Sequence, residues 1–180
     1  KAGNTLTQRV FRTNKNEVTV KLDLAGMADG QQAGLCHLAR AWAAFGVSQS
    51  GSTRTLTLNR AGKISQGPEL AATTLYLRTS WNLDGDSQFS FSIDGVTFTP
   101  FGPTIPLTWS YYRGDRLGLY SYNNKADAGY VEGDSGTDTR TRGEASGTVP
   151  TSPASRRLSI PVLGPLRRAT RYREMDPMAQ

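Results

Sequence analysis

Apolar and polar residues alternate in short runs along most of this chain. Over 88–93, Phe89, Phe91 and Ile93 alternate with Gln88, Ser90 and Ser92. A period of two places the three apolar side chains on one face of a strand. Over 17–24, Val18, Val20, Leu22 and Leu24 alternate with Thr19, Lys21 and Asp23, and TRTLTLN over 53–59 repeats the pattern. Similar readings give strands over 4–11, 33–38, 42–49, 75–81, 116–122 and 129–132. Helix competes over 33–44, where Ala and Leu are frequent, but Gly34 and Gly46 would each weaken a helix, so strand is expected. Asn14-Lys15-Asn16, GMADGQQ over 26–32 and Ser50-Gly51-Ser52 carry turn chemistry. Residues 59–68 are expected to form a loop. Pro100, Pro103 and Pro106 mark 102–106 as an excursion and not a central strand.

The stretch 75–122 organises the rest, and its centre reads as a hairpin. Asp94-Gly95 suits a two-residue type I′ turn, whose two central residues need positive φ. Such a turn would pair Ile93 with Val96 and Phe91 with Phe98, giving both strands the same apolar face. Gly95→Val is then expected to destabilise more than Ser92→Val, because Ser92 would point away from the apolar side. Short strands at regular spacing, with Gly, Asp and Asn between them, predict an all-β fold, an antiparallel sandwich or jelly roll.

Composition divides the chain. Residues 1–132 hold all three Trp, all six Phe and six of the seven Tyr, so they can bury a core. Residues 133–180 hold only Tyr172 and run GDSGTDTRTRGEASGTVPTSPASRR without a period. They are expected to form a disordered, low-complexity tail. Every basic residue in this tail is Arg, a bias that out-of-frame translation of GC-rich coding sequence would produce; a natural low-complexity linker is the alternative. The net charge of +6 is shared between the two parts and interleaved with acids, not gathered into a basic stripe. Nucleic acid is therefore not an expected partner. No run of about 18 apolar residues exists, so no membrane-spanning helix is expected either. The chain opens at Lys1 on a strand, which predicts further sequence upstream. Its one cysteine, Cys36, excludes an internal disulfide.

Candidate chemistry is sparse. His37 is the single histidine and follows Cys36 directly. Adjacent strand residues face opposite ways, which rules out a Cys–His dyad, and one His with one Cys does not make a metal site. No metal or cofactor is expected. His37 is left with a hydrogen-bonded structural role or a ligand contact. Asp29, Asp84 and Asp94 each precede Gly and are explained by turns, while Asp115 lies between Arg113 and Arg116, where a local salt bridge accounts for it. No glycosidase-type carboxylate pair is therefore expected. Trp42, Trp81, Trp109, Tyr111 and Tyr112 could stack on sugar rings, although core packing is the commoner use of strand aromatics.

Three segments carry a family resemblance: GLCHLARAWAAFGVSQ over 34–49, TSWNLDGDSQFSFSIDGVTFTPFG over 79–102 and LTWSYYRGDRLGLYSYN over 107–123. They resemble the C-terminal concanavalin A-like β-sandwich of glycoside hydrolase family 43, of the β-xylosidase and α-L-arabinofuranosidase type. The resemblance spans about 4–131, with YRGDRLGLYSYN its most specific part. It implies a concanavalin A-like jelly roll over 1–132 that packs on a five-bladed catalytic propeller and sometimes lends a loop to the substrate pocket. The implied partners are that propeller and xylo- or arabino-oligosaccharides, and secreted or periplasmic placement is favoured. The alternative is a stand-alone carbohydrate-binding module or lectin. The catalytic carboxylates belong to the propeller, so no catalytic residue is carried over. His37, Trp42, Tyr111 and Arg113 are the expected contacts with substrate or propeller. EGDSGTD from Glu132 stands where the family's last strand should run, which predicts an unpaired sheet edge.

Overall fold

A computed structural model describes residues 5–10, 14–38, 42–83, 85–107, 115–134 and 157–161. Among these described residues twelve strands follow in chain order: β1 (Thr5–Arg9), β2 (Asn16–Asp23), β3 (Gln31–Leu38), β4 (Ala43–Ser50), β5 (Thr53–Arg60), β6 (Lys63–Glu69), β7 (Thr74–Trp81), β8 (Gln88–Ser92), β9 (Thr99–Pro100), β10 (Arg116–Asn123), β11 (Tyr130–Asp134) and β12 (Arg157–Pro161). They form two six-stranded sheets, ordered β1-β10-β3-β4-β5-β6 and β12-β11-β2-β7-β8-β9. All ladders are antiparallel. The result is an all-β sandwich, and 33–44 is strand as expected.

The alternation found in the sequence sets the core. In the first sheet the registers align Leu35 with Phe45 and Phe45 with Leu58. The second sheet contributes Val20, Leu22, Leu75, Leu77 and Phe89, each at most 2% exposed. Phe45 joins the layers, stacking on Phe89 with ring centroids 5.0 Å apart and on Phe101 at 5.8 Å.

The central hairpin departs from expectation. β8 ends at Ser92, and the return strand pairs Phe91 with Thr99 and Ser90 with Pro100, leaving a six-residue loop over 93–98. The register is one residue away from the expected Phe91–Phe98 pairing, and a one-residue slip reverses the facing of the returning strand. The cause is local. Asp94 Oδ1 accepts hydrogen bonds from Ser92 Oγ at 2.6 Å and from the Val96 and Thr97 amides at 2.8 Å. Ser92 Oγ in turn accepts from the Gly95 amide at 2.9 Å. These side-chain bonds compete with the ladder and open the turn. They also hold the Asp94 carboxyl well below the usual carboxylate range. Gly95 does adopt positive φ (77°), but Asp94 does not, so the turn is not type I′. Phe98 lies against Arg78, whose guanidinium sits 3.5 Å from its ring centroid. Ile93 and Val96 are exposed. Ser92 is buried and anchors the loop, so Ser92→Val carries a cost of its own, while a side chain at Gly95 would meet both the positive φ and the Tyr76 ring.

The two-residue turn occurs elsewhere. Ala61 (φ 50°) and Gly62 (φ 99°) are both in the left-handed region and are flanked by the Arg60–Lys63 pair. Residues 63–69 were expected to lie in a loop, apart from the last, yet they form edge strand β6. Its KISQGPE sequence is largely polar and exposed, so no alternation marks it. Gly67 and Pro68 are tolerated there because an edge strand has one unpaired side. A further difference lies past Glu132: β11 continues to Asp134, and β12 pairs along it, so the expected open edge is covered.

Two outcomes test this packing. Phe45→Ala should lower stability by about 3–5 kcal/mol in urea titrations, whereas Ile64→Ala, at 59% exposure, should change it by less than about 0.5 kcal/mol. Ala61→Asn should raise stability by about 0.5–1 kcal/mol, since Asn occupies the left-handed region more readily than Ala. An unchanged or lowered midpoint for Ala61→Asn would contradict the turn assignment.

Candidate functional site

Of the four expected contact residues, the structure describes His37 and Trp42; Tyr111 and Arg113 lie outside the described residues. His37 closes the inward-facing row of β3, paired with Leu117 on one side and Ala43 on the other. It is 1% exposed. Its Nε2 lies 2.8 Å from Thr79 Oγ1 on β7, a polar bond between the two sheets. The ring packs edge-on against Trp81 at 5.9 Å and tilted against Phe89 at 5.3 Å. His37 thus takes the structural role of its two sequence readings. It offers no surface to a sugar or a neighbouring domain, because the second sheet covers it.

Burial among these rings penalises the imidazolium and pushes the His37 pKa down to about 4. Cys36, on the opposite side of β3, is also buried, and desolvation raises its thiol to about 12, far from a reactive thiolate.

Trp42 differs. It precedes β4 at the same end of the sandwich and is 37% exposed, and Leu38 at the end of β3 is 36% exposed. The Trp42 carbonyl accepts a hydrogen bond from the Ala61 amide at 3.1 Å, tying the tryptophan backbone to the β5–β6 turn. The chain re-enters at buried Asp115, whose carbonyl accepts from the Val10 amide at 3.1 Å, and Arg116 then pairs with Leu38. The chain thus re-enters, at Asp115 and Arg116, at the end that also presents Leu38 and Trp42. Thr79 and Leu38 were missed in the sequence reading. The partnership of His37 with Thr79 spans 42 residues and two sheets, and no local pattern signals it.

Asp29, Asp86 and Asp94 hold loops together. Asp29 bonds the Gly51 amide at 2.6 Å and pairs with Lys125 at 2.8 Å, which lowers its pKa. Asp86 accepts from Thr104 Oγ1 at 3.0 Å, and Asp94 organises its own loop. No three His, Cys, Asp or Glu side chains converge on a possible metal position among the described residues.

Two facing antiparallel sheets with this strand order define a concanavalin A-like β-sandwich, with a partly apolar surface at one end. The chain belongs to the family of β-xylosidase C-terminal concanavalin A-like domains of glycoside hydrolase family 43, which it matches over residues 1–135. It is 35% identical over 136 residues to a β-xylosidase of Formosa agariphila, covering 74% of this chain and 23% of that protein. A solved family-43 glycoside hydrolase, engineered to display both endo-xylanase and exo-arabinofuranosidase activity, is 27% identical with a TM-score of 0.63, covering 71% of this chain and 29% of that one. A bifunctional family-43 protein of Bacteroides eggerthii shares the fold with a TM-score of 0.63 and 23% identity, over 71% of this chain and 18% of its own. The chain thus spans less than a third of each of these relatives.

Burial of neutral His37 makes stability depend on pH. The folded pKa of about 4 lies below the ordinary value of 6.5, so the unfolded chain takes up the proton first. Stability is full above pH 6.5 and falls as pH drops towards 4, by about 3 kcal/mol at most. Urea midpoints from pH 7 to 4.5 should decline, and this decline should vanish in His37→Gln. Because His37 is the single histidine, an equal decline in the variant would remove it as the cause.

Proposed function

We propose that this chain is the non-catalytic accessory sandwich of a family-43 glycoside hydrolase acting on xylan- or arabinan-derived oligosaccharides. The observation that carries the reading is the family match over 1–135 combined with its coverage of only 23% of the β-xylosidase. Most of such an enzyme lies outside the matched domain, and Asp29, Asp86 and Asp94 are engaged in loop structure. The end of the sandwich presenting Leu38 and Trp42, with the segment of Tyr111 and Arg113, faces the catalytic propeller and borders its substrate pocket. An exposed tryptophan and an exposed leucine at one end supply apolar contact area, and Tyr111 and Arg113 add a ring and hydrogen-bond donors. His37 supports this end from within.

The same exposed indole suits a second reading, a stand-alone carbohydrate-binding module, since sugar faces stack on exposed rings. Calorimetry with xylo-oligosaccharides separates the two: the accessory reading expects no tight binding by this chain alone, and tight binding would favour the module. The purified chain should not hydrolyse aryl-xylosides or aryl-arabinosides; turnover above that of an Asp115→Asn control would overturn the accessory reading. In an enzyme joining this sandwich to a family-43 propeller, Trp42→Ala should lose about 1–2 kcal/mol of junction or transition-state binding, measured as a lower kcat/KM or a weaker domain association. Wild-type values for both would place the contact elsewhere.

A further inference from the structure

The sandwich handles its sheet edges unequally. An unpaired edge strand is a template for another strand, and proteins blunt such edges with proline, lysine, bulges or very short strands. Edge strand β6 carries Lys63 and Pro68 and has a register irregularity opposite Thr55–Thr57. Edge strand β9 is two residues long, and one is Pro100. β11 reads YVEGD, with neither proline nor lysine. It pairs with β2 through only three residues, Glu132 to Asp23, Gly133 to Leu22 and Asp134 to Lys21. Its other side pairs with β12 along all five residues, from Tyr130–Pro161 to Asp134–Arg157. β12 then becomes the outermost strand, and its RLSIP sequence carries an arginine and a proline of the kind that discourage further addition.

The geometry points to β11 as a strand-acceptor edge that residues 157–161 cap within the same chain and that, once uncapped, pairs with a second copy. Val131 at 0% exposure fixes the face of β11 towards the core, so the outward edge keeps one orientation and one register whether or not it is capped. Copies of β11 meeting edge to edge would complete a continuous antiparallel sheet through main-chain bonds, the least sequence-demanding form of strand addition. The covalent tether makes the cap intramolecular, with an effective concentration on the order of millimolar for short tethers. At micromolar protein the cap therefore wins and the chain is a monomer.

The test uses the full chain. Proline at two adjacent strand positions, in Leu158→Pro/Ser159→Pro, removes one donor on each side of β12, including one towards β11. Sedimentation velocity at tens of micromolar should show monomer for the unmodified chain and dimers or larger species for the double variant. Hydrogen exchange on the unmodified chain should show protected amides within 157–161. Unprotected amides there, or a folded double variant that stays monomeric over the same range, would overturn the proposal. If the double variant loses its near-ultraviolet circular dichroism, a peptide spanning 155–163 added in excess should restore it; failure to do so would overturn the proposal equally.

Discussion

The stack of Phe45 on Phe89 is the contact on which the two layers depend. Each sheet is a set of local ladders that form without reference to the other, and only interdigitated side chains fix how they face. Phe45 lies midway along β4, flanked in register by Leu35 and Leu58, and Phe89 lies on β8 opposite Thr79. Phe101 extends the stack from Phe45, so the chain just beyond the short strand β9 is also held against the core. Two fully buried phenylalanines contribute about 1.5–3 kcal/mol each in transfer terms, and their geometry adds about 0.5–1.5 kcal/mol. No other inter-sheet ring pair has both partners at 0% exposure among the described residues.

His37 belongs to the same cluster, since its ring touches Phe89 and Trp81. Placing an imidazole there exchanges hydration for a bond to Thr79, and among the described residues its Nδ1 has no hydrogen-bond partner. A buried polar group with one satisfied nitrogen adds little stability, but its bond to Thr79 ties β3 on one sheet to β7 on the other at a defined position. The strand end that presents Leu38 is thereby set by a contact inside the core.

Much of the fold was legible because both faces of the middle strands obey a period of two. Val18 to Leu24 and Leu75 to Trp81 needed no tertiary information to be read as strands. The failures came where side chains act on the backbone. Asp94-Gly95 has the composition of a tight turn, but the hydroxyl of Ser92 diverts Asp94 into a wider loop, while Ala61-Gly62 makes the tight turn with a residue that propensity disfavours. β6 has little apolar pattern of its own because its neighbour supplies the ladder, and edge strands are the elements for which composition says least; in β12 only Leu158 and Ile160 alternate, too short a run to stand out from the polar stretch before it. At the candidate site, Trp42 lies exposed at a strand end, whereas the burial of His37 follows from a second sheet that no local window contains.

This division between what is buried and what is presented bears on function. A catalytic site needs titratable groups held in a cleft with pKa values moved towards neutrality. Here the perturbed groups move the other way: Asp29 and Asp94 are held further towards the ionised state by their loop bonds, and His37 and Cys36 are held neutral by burial. What the fold does place at its surface is shape, with Trp42 and Leu38 on a strand end pinned by a core contact. A rigid apolar projection of that kind loses little entropy on association, which supports the docking role proposed for this end of the sandwich.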